Sequence, residues 1–365
     1  MVLADRLRDF FVGWRGLRRF WYIVLGILTL GALTLQALGP PAPAHNVPVA
    51  TAPVAVAPPP PPPQPQEPAV RVVQPKPVPL PPADRPGRDS PGMLADPDPA
   101  LQDPVPGSDT EFLPRISRDG RMPMQVYAAA FDHQTQRVRV GLVVAGIGMN
   151  EADSLAAVRT LPAGVTLAIS PYAGSIGKVL SAARMTEHEY LISIPMEPQG
   201  FPLNDPGGRA LMTSLSPQDN MERLRWVLSR IGGYVGATNA LGAMSGERFS
   251  GMADQMGTVL TDLQSRGLLF VDARPGQPRS PLLWNRSVDL VIDDPPGRDE
   301  IDARLAELSR LARDRGSALG LATAPRPVTV DRIAAWSNSL RNNGLVLAPV
   351  SALVEAPPKS GKPNP

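Results

Sequence analysis

The chain has 365 residues, 45 of them proline, and a formal net charge of +2 at neutral pH. A near balance of 36 basic and 34 acidic residues gives no strong field to recruit nucleic acid or acidic substrates. Cysteine is absent, which excludes disulfides, thiolate metal centres and cysteine nucleophiles, and the only histidines are His45, His133 and His188.

Residues 1–19 carry Arg6, Arg8, Arg15, Arg18 and Arg19 against Asp5 and Asp9. Residues 20–38 hold no charge. As a helix rising about 1.5 Å per residue they would span about 28 Å, close to the hydrocarbon thickness of a bilayer. Trp21 and Tyr22 stand where amphipathic aromatics favour the interface, and the arginines should stay in the cytoplasm. The expectation is a single-pass inner-membrane protein with its C-terminal part in the periplasm. The rival reading is a cleaved signal peptide. Its apolar region usually runs only about 7–15 residues, and Pro43 in Ala42-Pro43-Ala44 suits cleavage poorly.

Residues 39–120 are rich in Pro, Ala and Val, with Pro58 to Pro63 consecutive, and read as a polyproline or irregular linker. Glu111 to Asp132 supplies Phe112, Ile116, Met122, Met124, Tyr127 and Phe131, enough apolar contact for an ordered strap on the domain. Residues 121–355 form the globular domain, and residues 356–365 a disordered tail.

Within the domain, strand and helix alternate. Val138–Ala145 is an apolar, β-branched run that suits a strand buried on both faces, and Gly146 and Gly148 punctuate its end. A helix follows over Glu151–Leu161, a strand over Gly164–Ser170, a helix over Ser175–Glu187 and a strand over Glu189–Ile194. Ser216-Pro217 starts a helix that runs to about Ile231. Then come a strand at Tyr234–Thr238, a helix at Gly251–Arg266 and a strand at Leu268–Asp272. Leu290–Ile292 is a strand entered from Ser287-Val288. A helix at Asp299–Arg315, a strand at Ala318–Ala322, a helix at Thr329–Asn342 and a strand at Gly344–Pro349 complete the chain. This rhythm points to a (β/α) barrel, with a doubly wound sheet as the alternative. Gly146-Ile-Gly148 lacks the third glycine of a dinucleotide fingerprint.

In such folds the strand C-terminal ends build sites. Glu197, in Ile194-Pro-Met-Glu-Pro198, reads either as a general acid or orienting group or as an anchor for the following loop. Asn239 reads as a site residue or as a bridge between loops. Asp272 is a base if desolvated, or else a residue that fixes a loop. Asp293-Asp294 reads as paired carboxylates or as a solvated turn. No histidine falls at a strand end, and His188 reads as a polar loop residue on the wrong side. A carboxylate site from Asp272, Asp293 and Glu197 would suit Mg²⁺ or Mn²⁺ better than Zn²⁺.

The order of motifs resembles the divergent polysaccharide deacetylase family, over about Leu113 to Val354. The matching stretches are the opening strand with Gly148, Val165–Tyr172, Ile194–Pro198, Gly236–Gly242 with Arg248-Phe249, Arg266–Asp272, and Thr323–Thr329 leading to Leu347–Ser351. The resemblance implies a distorted (β/α) barrel of the polysaccharide deacetylase type, acting on envelope polysaccharide by metal-dependent removal of acetyl groups. The chain departs from that pattern. An Asp-Asp pair is replaced by Ala145-Gly146. Ser193 stands where a His often precedes Pro-Met-Glu-Pro. Asn-His-Met-Gly is Asn239-Ala240-Leu241-Gly242, and Gly-His-Pro is Thr323-Ala324-Pro325. What remains of the pattern is Asp272 and Glu197, read as catalytic, and Asn239, Arg248 and Asp293, read as binding residues, with no metal ligand set; Thr323, at a strand end, is a further binding candidate. Two readings stand. One is a non-catalytic member, without metal or cofactor, that binds envelope polysaccharide or an envelope protein. The other is a deacetylase with a divalent metal in a rearranged carboxylate site.

Overall fold

The computed structural model describes residues 92–357, together with Arg18, Trp21, Tyr22, residues 24–26, Leu28 and Thr29. Most of the expected anchor, residues 20–38, lies outside the described residues, as do linker residues 39–91 and tail residues 358–365. Among the described residues no helix is long and apolar enough to cross a membrane.

The domain begins with an antiparallel pair, β1 (Gln102–Pro104) and β2 (Phe112–Pro114), and a short helix, α1 (Pro123–Val126). The alternating part follows as β3 (Val138–Ile147), α2 (Glu151–Thr160), β4 (Thr166–Ile169), α3 (Gly177–Met185), β5 (Tyr190–Ser193), α4 (Pro217–Leu228) and β6 (Gly236–Thr238). Next come α5 (Glu247–Ser250), α6 (Ala253–Ser265), β7 (Leu269–Asp272), β8 (Asn285–Ser287), β9 (Leu290–Val291), α7 (Arg298–Arg315), β10 (Ser317–Ala322), α8 (Pro327–Ser339) and β11 (Leu345–Leu347).

The strands pair in parallel in the order β8-β7-β6-β5-β4-β3-β10-β9. The sequence shows one strand at Leu290–Ile292; the structure makes the segment two. Residues 285–287 pair with β7, and residues 290–291 pair with β10. One short stretch of chain thus joins the two edges of the curled sheet, which makes the barrel distorted rather than regular. β11 pairs with the first half of β3, on the edge that β4 takes over further along.

The alternation along β3 sorts two cores. Leu142 and Val144 face the helices, with Leu167, Ile192, Leu305 and Ile333. Val143 and Ala145 face inward, with Ala168, Leu191, Leu319 and Leu321. The inner core also takes Leu101, Met124, Tyr127, Phe131 and Leu353. The strap expected at Glu111 to Asp132 therefore packs on the domain, and buried Leu94 and Leu101 show that packing already begins within residues assigned to the linker. Local signals hold where chemistry is local. Ser216 caps α4 by accepting from the Asp219 N–H at 3.1 Å, with Pro217 at the first helical position. Asn150 caps α2 in the same way, accepting from the Asp153 N–H at 3.1 Å.

A buried carboxyl ties the closed, N-terminal end of the barrel together. Glu189, just before β5, accepts from the Ala129 N–H, the Thr166 hydroxyl and the Ser351 N–H, each at 3.0 Å, and from the Ser351 hydroxyl at 2.5 Å. It links the strap, β4 and the segment after β11. Its neighbour His188, expected as an ordinary loop residue, is buried, its ring nitrogens 2.8 and 3.2 Å from the carbonyls of Val165 and Val158. Burial holds the imidazole below its usual pKa.

Candidate functional site at the barrel mouth

β3 ends in a turn that needs glycine. Gly146 and Gly148 have φ of +75° and +92°, a region that L side chains rarely adopt. A Cβ on Gly148 would stand 2.7 Å from Ala173 Cβ. Above this turn opens a cavity of about 830 Å³. Gly146, Leu241-Gly242 and Thr323-Ala324-Pro325 meet along its wall, with Tyr172, Met149 and Met244 around it and Asp153, Asp205 and Arg326 as its charged lining. Three separate strand ends therefore converge on one space, as the fold class leads one to expect.

The six residues singled out by sequence divide into two networks. Asp272, at the end of β7, is half-closed by Arg274, which binds it through Nε at 3.0 Å and Nη2 at 2.6 Å. Asn239 donates to Asp272 at 3.1 Å and to the Ser250 hydroxyl at 3.2 Å, and accepts from the Ala273 N–H at 2.7 Å. Glu197 is buried. One of its oxygens accepts from the Thr213 N–H and hydroxyl at 2.6 and 2.7 Å, and the other pairs with Arg248 at 2.9 Å. The Glu197 carbonyl accepts from the N–H groups of Arg248 and Phe249, which fixes the start of α5. Since α5 also carries Ser250, it joins Glu197 to the Asn239–Asp272 pair.

Asp293 and Thr323 form the second network. The Asp293 side chain is 0% exposed and pairs with Arg326 at 3.0 Å. It accepts from the Thr323 N–H at 2.7 Å and the Thr323 hydroxyl at 3.1 Å. Of the six residues, only Thr323 lines the cavity. Of the guanidiniums that neutralise these carboxylates, the sequence pattern marks Arg248 but not Arg274 or Arg326. Arg274, two residues after Asp272, had a local signal; Arg326 is 33 residues from Asp293.

Metal-dependent deacetylation would need about three open nitrogen or oxygen ligands. The carboxylates of Asp272, Glu197 and Asp293 spend their lone pairs on arginines, hydroxyls and backbone N–H groups. Ser193, facing inward at the end of β5, presents a buried hydroxyl without a partner among the described residues, yet it stands alone as a ligand. Among the described residues no group of three His, Asp or Glu side chains is placed to hold an ion. The donor set does not fit a catalytic metal.

A family model described as divergent polysaccharide deacetylase matches residues 142–354. The chain belongs to the divergent polysaccharide deacetylase family. It is similar to an uncharacterized protein from Agrobacterium tumefaciens whose crystal structure is known, at 31% identity and a TM-score of 0.62, covering 67% of this chain and 100% of that one. Two further structures match at 11% and 14% identity with TM-scores of 0.39 and 0.36. They are the catalytic domain of a peptidoglycan N-acetylglucosamine deacetylase from Eubacterium rectale and a family 4 carbohydrate esterase from Streptomyces lividans in complex with acetate. They cover 59% and 60% of this chain and 90% and 97% of their own. No curated protein matches the chain. In this member of the family, the strand ends where the resemblance leads one to expect an Asp pair and three histidines carry Ala145-Gly146, Ser193, Ala240 and Ala324.

Proposed function

We propose that this member of the divergent polysaccharide deacetylase family is a membrane-anchored periplasmic protein that works without catalysis, holding an envelope glycan or an envelope protein in its barrel mouth. One observation carries the reading. The strand ends that resemble the family's ligand-bearing motifs still converge on a single cavity, but here they line it with Gly146, Leu241, Gly242, Ala324 and Pro325. Such a cavity offers apolar walls and backbone groups, with Tyr172 and Arg326 as polar handles, which suits binding more than bond cleavage. The anchor reading rests on the arginines of residues 1–19 and the uncharged run after them, in which Trp21, Tyr22, Leu25 and Leu28 are helical and exposed.

The test uses the full-length protein purified in a neutral detergent, analysed for metal and assayed for acetate release from N-acetylated glycan. The expected result is metal well below one equivalent, no acetate above the blank, and retention on immobilised cell-wall glycan or co-purification of an envelope protein. Stoichiometric metal together with acetate release sinks the proposal. Loss of that release in Asp272→Asn and Glu197→Gln would then establish a rearranged carboxylate site.

A further inference from the structure

At the opposite end of the barrel from the mouth lies a second cavity, of about 290 Å³, lined by Arg137, Arg139, Arg286, Ser317 and Ser351 among others. Its place in the fold is set by three strand beginnings. Arg137 immediately precedes β3, Ser317 opens β10, and Arg286 sits in β8, across from the segment that follows β11. Glu355 is the one carboxylate among the lining residues, and it is bound by Arg279.

The arginines here differ in how firmly they are built in. Arg286 is held in place: it donates to the Ser317 hydroxyl at 2.8 Å and to the Ser317 carbonyl at 3.2 Å, and pairs with Asp289 at 3.1 Å. Asp289 is shared with Arg315 at 2.9 Å, so one carboxylate serves two guanidiniums. Arg139 donates to the carbonyls of Ala352 and His133 and lies over the Phe131 ring at 5.2 Å. These contacts fix the orientation of its planar head. Arg137 is exposed, and among the described residues its side chain makes no hydrogen bond or ion pair. A pocket with three guanidiniums on its wall and one already neutralised carboxylate is electropositive. Arginine's planar fork of donors matches phosphate oxygens; Arg137 offers such a fork, whereas Arg286, whose four terminal N–H groups go to Ser317, Leu353 and Asp289, contributes charge.

We propose that this pocket binds the phosphate group of a phosphorylated ligand, either a phospholipid headgroup or a soluble phosphate ester. Arg286 and Arg139 form the fixed wall, and Arg137 closes over the bound group from the solvent side. The site is separate from the mouth, so its existence does not depend on what the mouth binds.

The experiment follows thermal unfolding of the full-length protein in neutral detergent. One arm adds inorganic phosphate against chloride of equal ionic strength. A second adds phosphatidylglycerol to the micelles against phosphatidylcholine. At about ten times the dissociation constant, a specific ligand raises the midpoint by about 3–5 °C for a domain of this size. The effect should disappear in Arg137→Glu and persist in part in Arg137→Lys. Each variant is compared with and without ligand, so the readout is the ligand-induced shift and not the unliganded midpoint, which Arg137→Glu is expected to raise by relieving repulsion among the three guanidiniums. A rise in the lipid arm alone identifies a headgroup site; a rise with inorganic phosphate identifies a site for soluble phosphate groups. No rise in either arm, or an equal rise in Arg137→Glu, overturns the proposal.

Discussion

Asp293 shows how a single buried carboxylate changes meaning once its surroundings are known. In isolation Asp293-Asp294 before two prolines reads as a turn or a pair of acids. In the fold the Asp293 side chain is fully enclosed and holds the N–H and hydroxyl of Thr323 and the Arg326 guanidinium. Removing a buried acceptor leaves its donors unsatisfied, which costs more than the bond itself contributed. Asp293→Ala should therefore lower unfolding stability by about 2–4 kcal/mol, read from urea denaturation. A loss below about 0.5 kcal/mol, the range of ordinary surface substitutions, would show that the network does not anchor the strand end. Glu197 follows the same logic. Its partners Thr213 and Arg248 make it the pin of the loop over residues 197–213, the loop-anchoring role that stood beside the catalytic one.

At the scale of elements, the barrel is joined at both ends by small pieces of chain. The residues from Asn285 to Val291 pass from β7 to β10, and Glu189 gathers the strap, β4 and the segment after β11. Burial pushes the Glu189 carboxyl above its ordinary value, against the opposing pull of its four donors. A folded-state value raised above that of the unfolded chain means that the group's contribution is fully present below about pH 4.3. It is lost as pH rises through the folded value. Urea midpoints of the wild type and Glu189→Gln, compared from pH 4 to 7, should show the wild type losing ground to the variant as pH rises. A difference that stays constant over that range would refute this account of the latch.

For the whole molecule, the two ends of the barrel have different chemistry. The mouth is a largely apolar cavity over the end of β3, and the opposite end is a polar, arginine-lined pocket. The proposed anchor adds a third feature, and it has its own check. Membranes from expressing cells should retain the full-length protein after alkaline carbonate washing, and protease added outside spheroplasts should degrade the domain. Release of the protein by carbonate, or protection of the domain in intact spheroplasts, would remove the membrane and periplasmic parts of the proposal. The binding role at the mouth would still stand.

The sequence by itself determined the alternation of strand and helix, the cap at Ser216, and the glycine turn after β3. Each follows from residues a few positions apart, whose preferences act through the local backbone. It also carried enough ordered motifs to reveal the family. The partners of the candidate residues were decided only by tertiary structure. Arg326 reaches Asp293 and Thr213 reaches Glu197 because sheet order and loop return bring distant segments together, and no local pattern encodes that approach. The split of residues 285–291 between two strands, the meeting of Gly146, Gly242 and Ala324 around one cavity, and the gathering of Arg137, Arg139 and Arg286 at the other end have the same cause. Closing the sheet fixes which strand ends face each other, and that geometry turns candidate acids into neutralised structural groups.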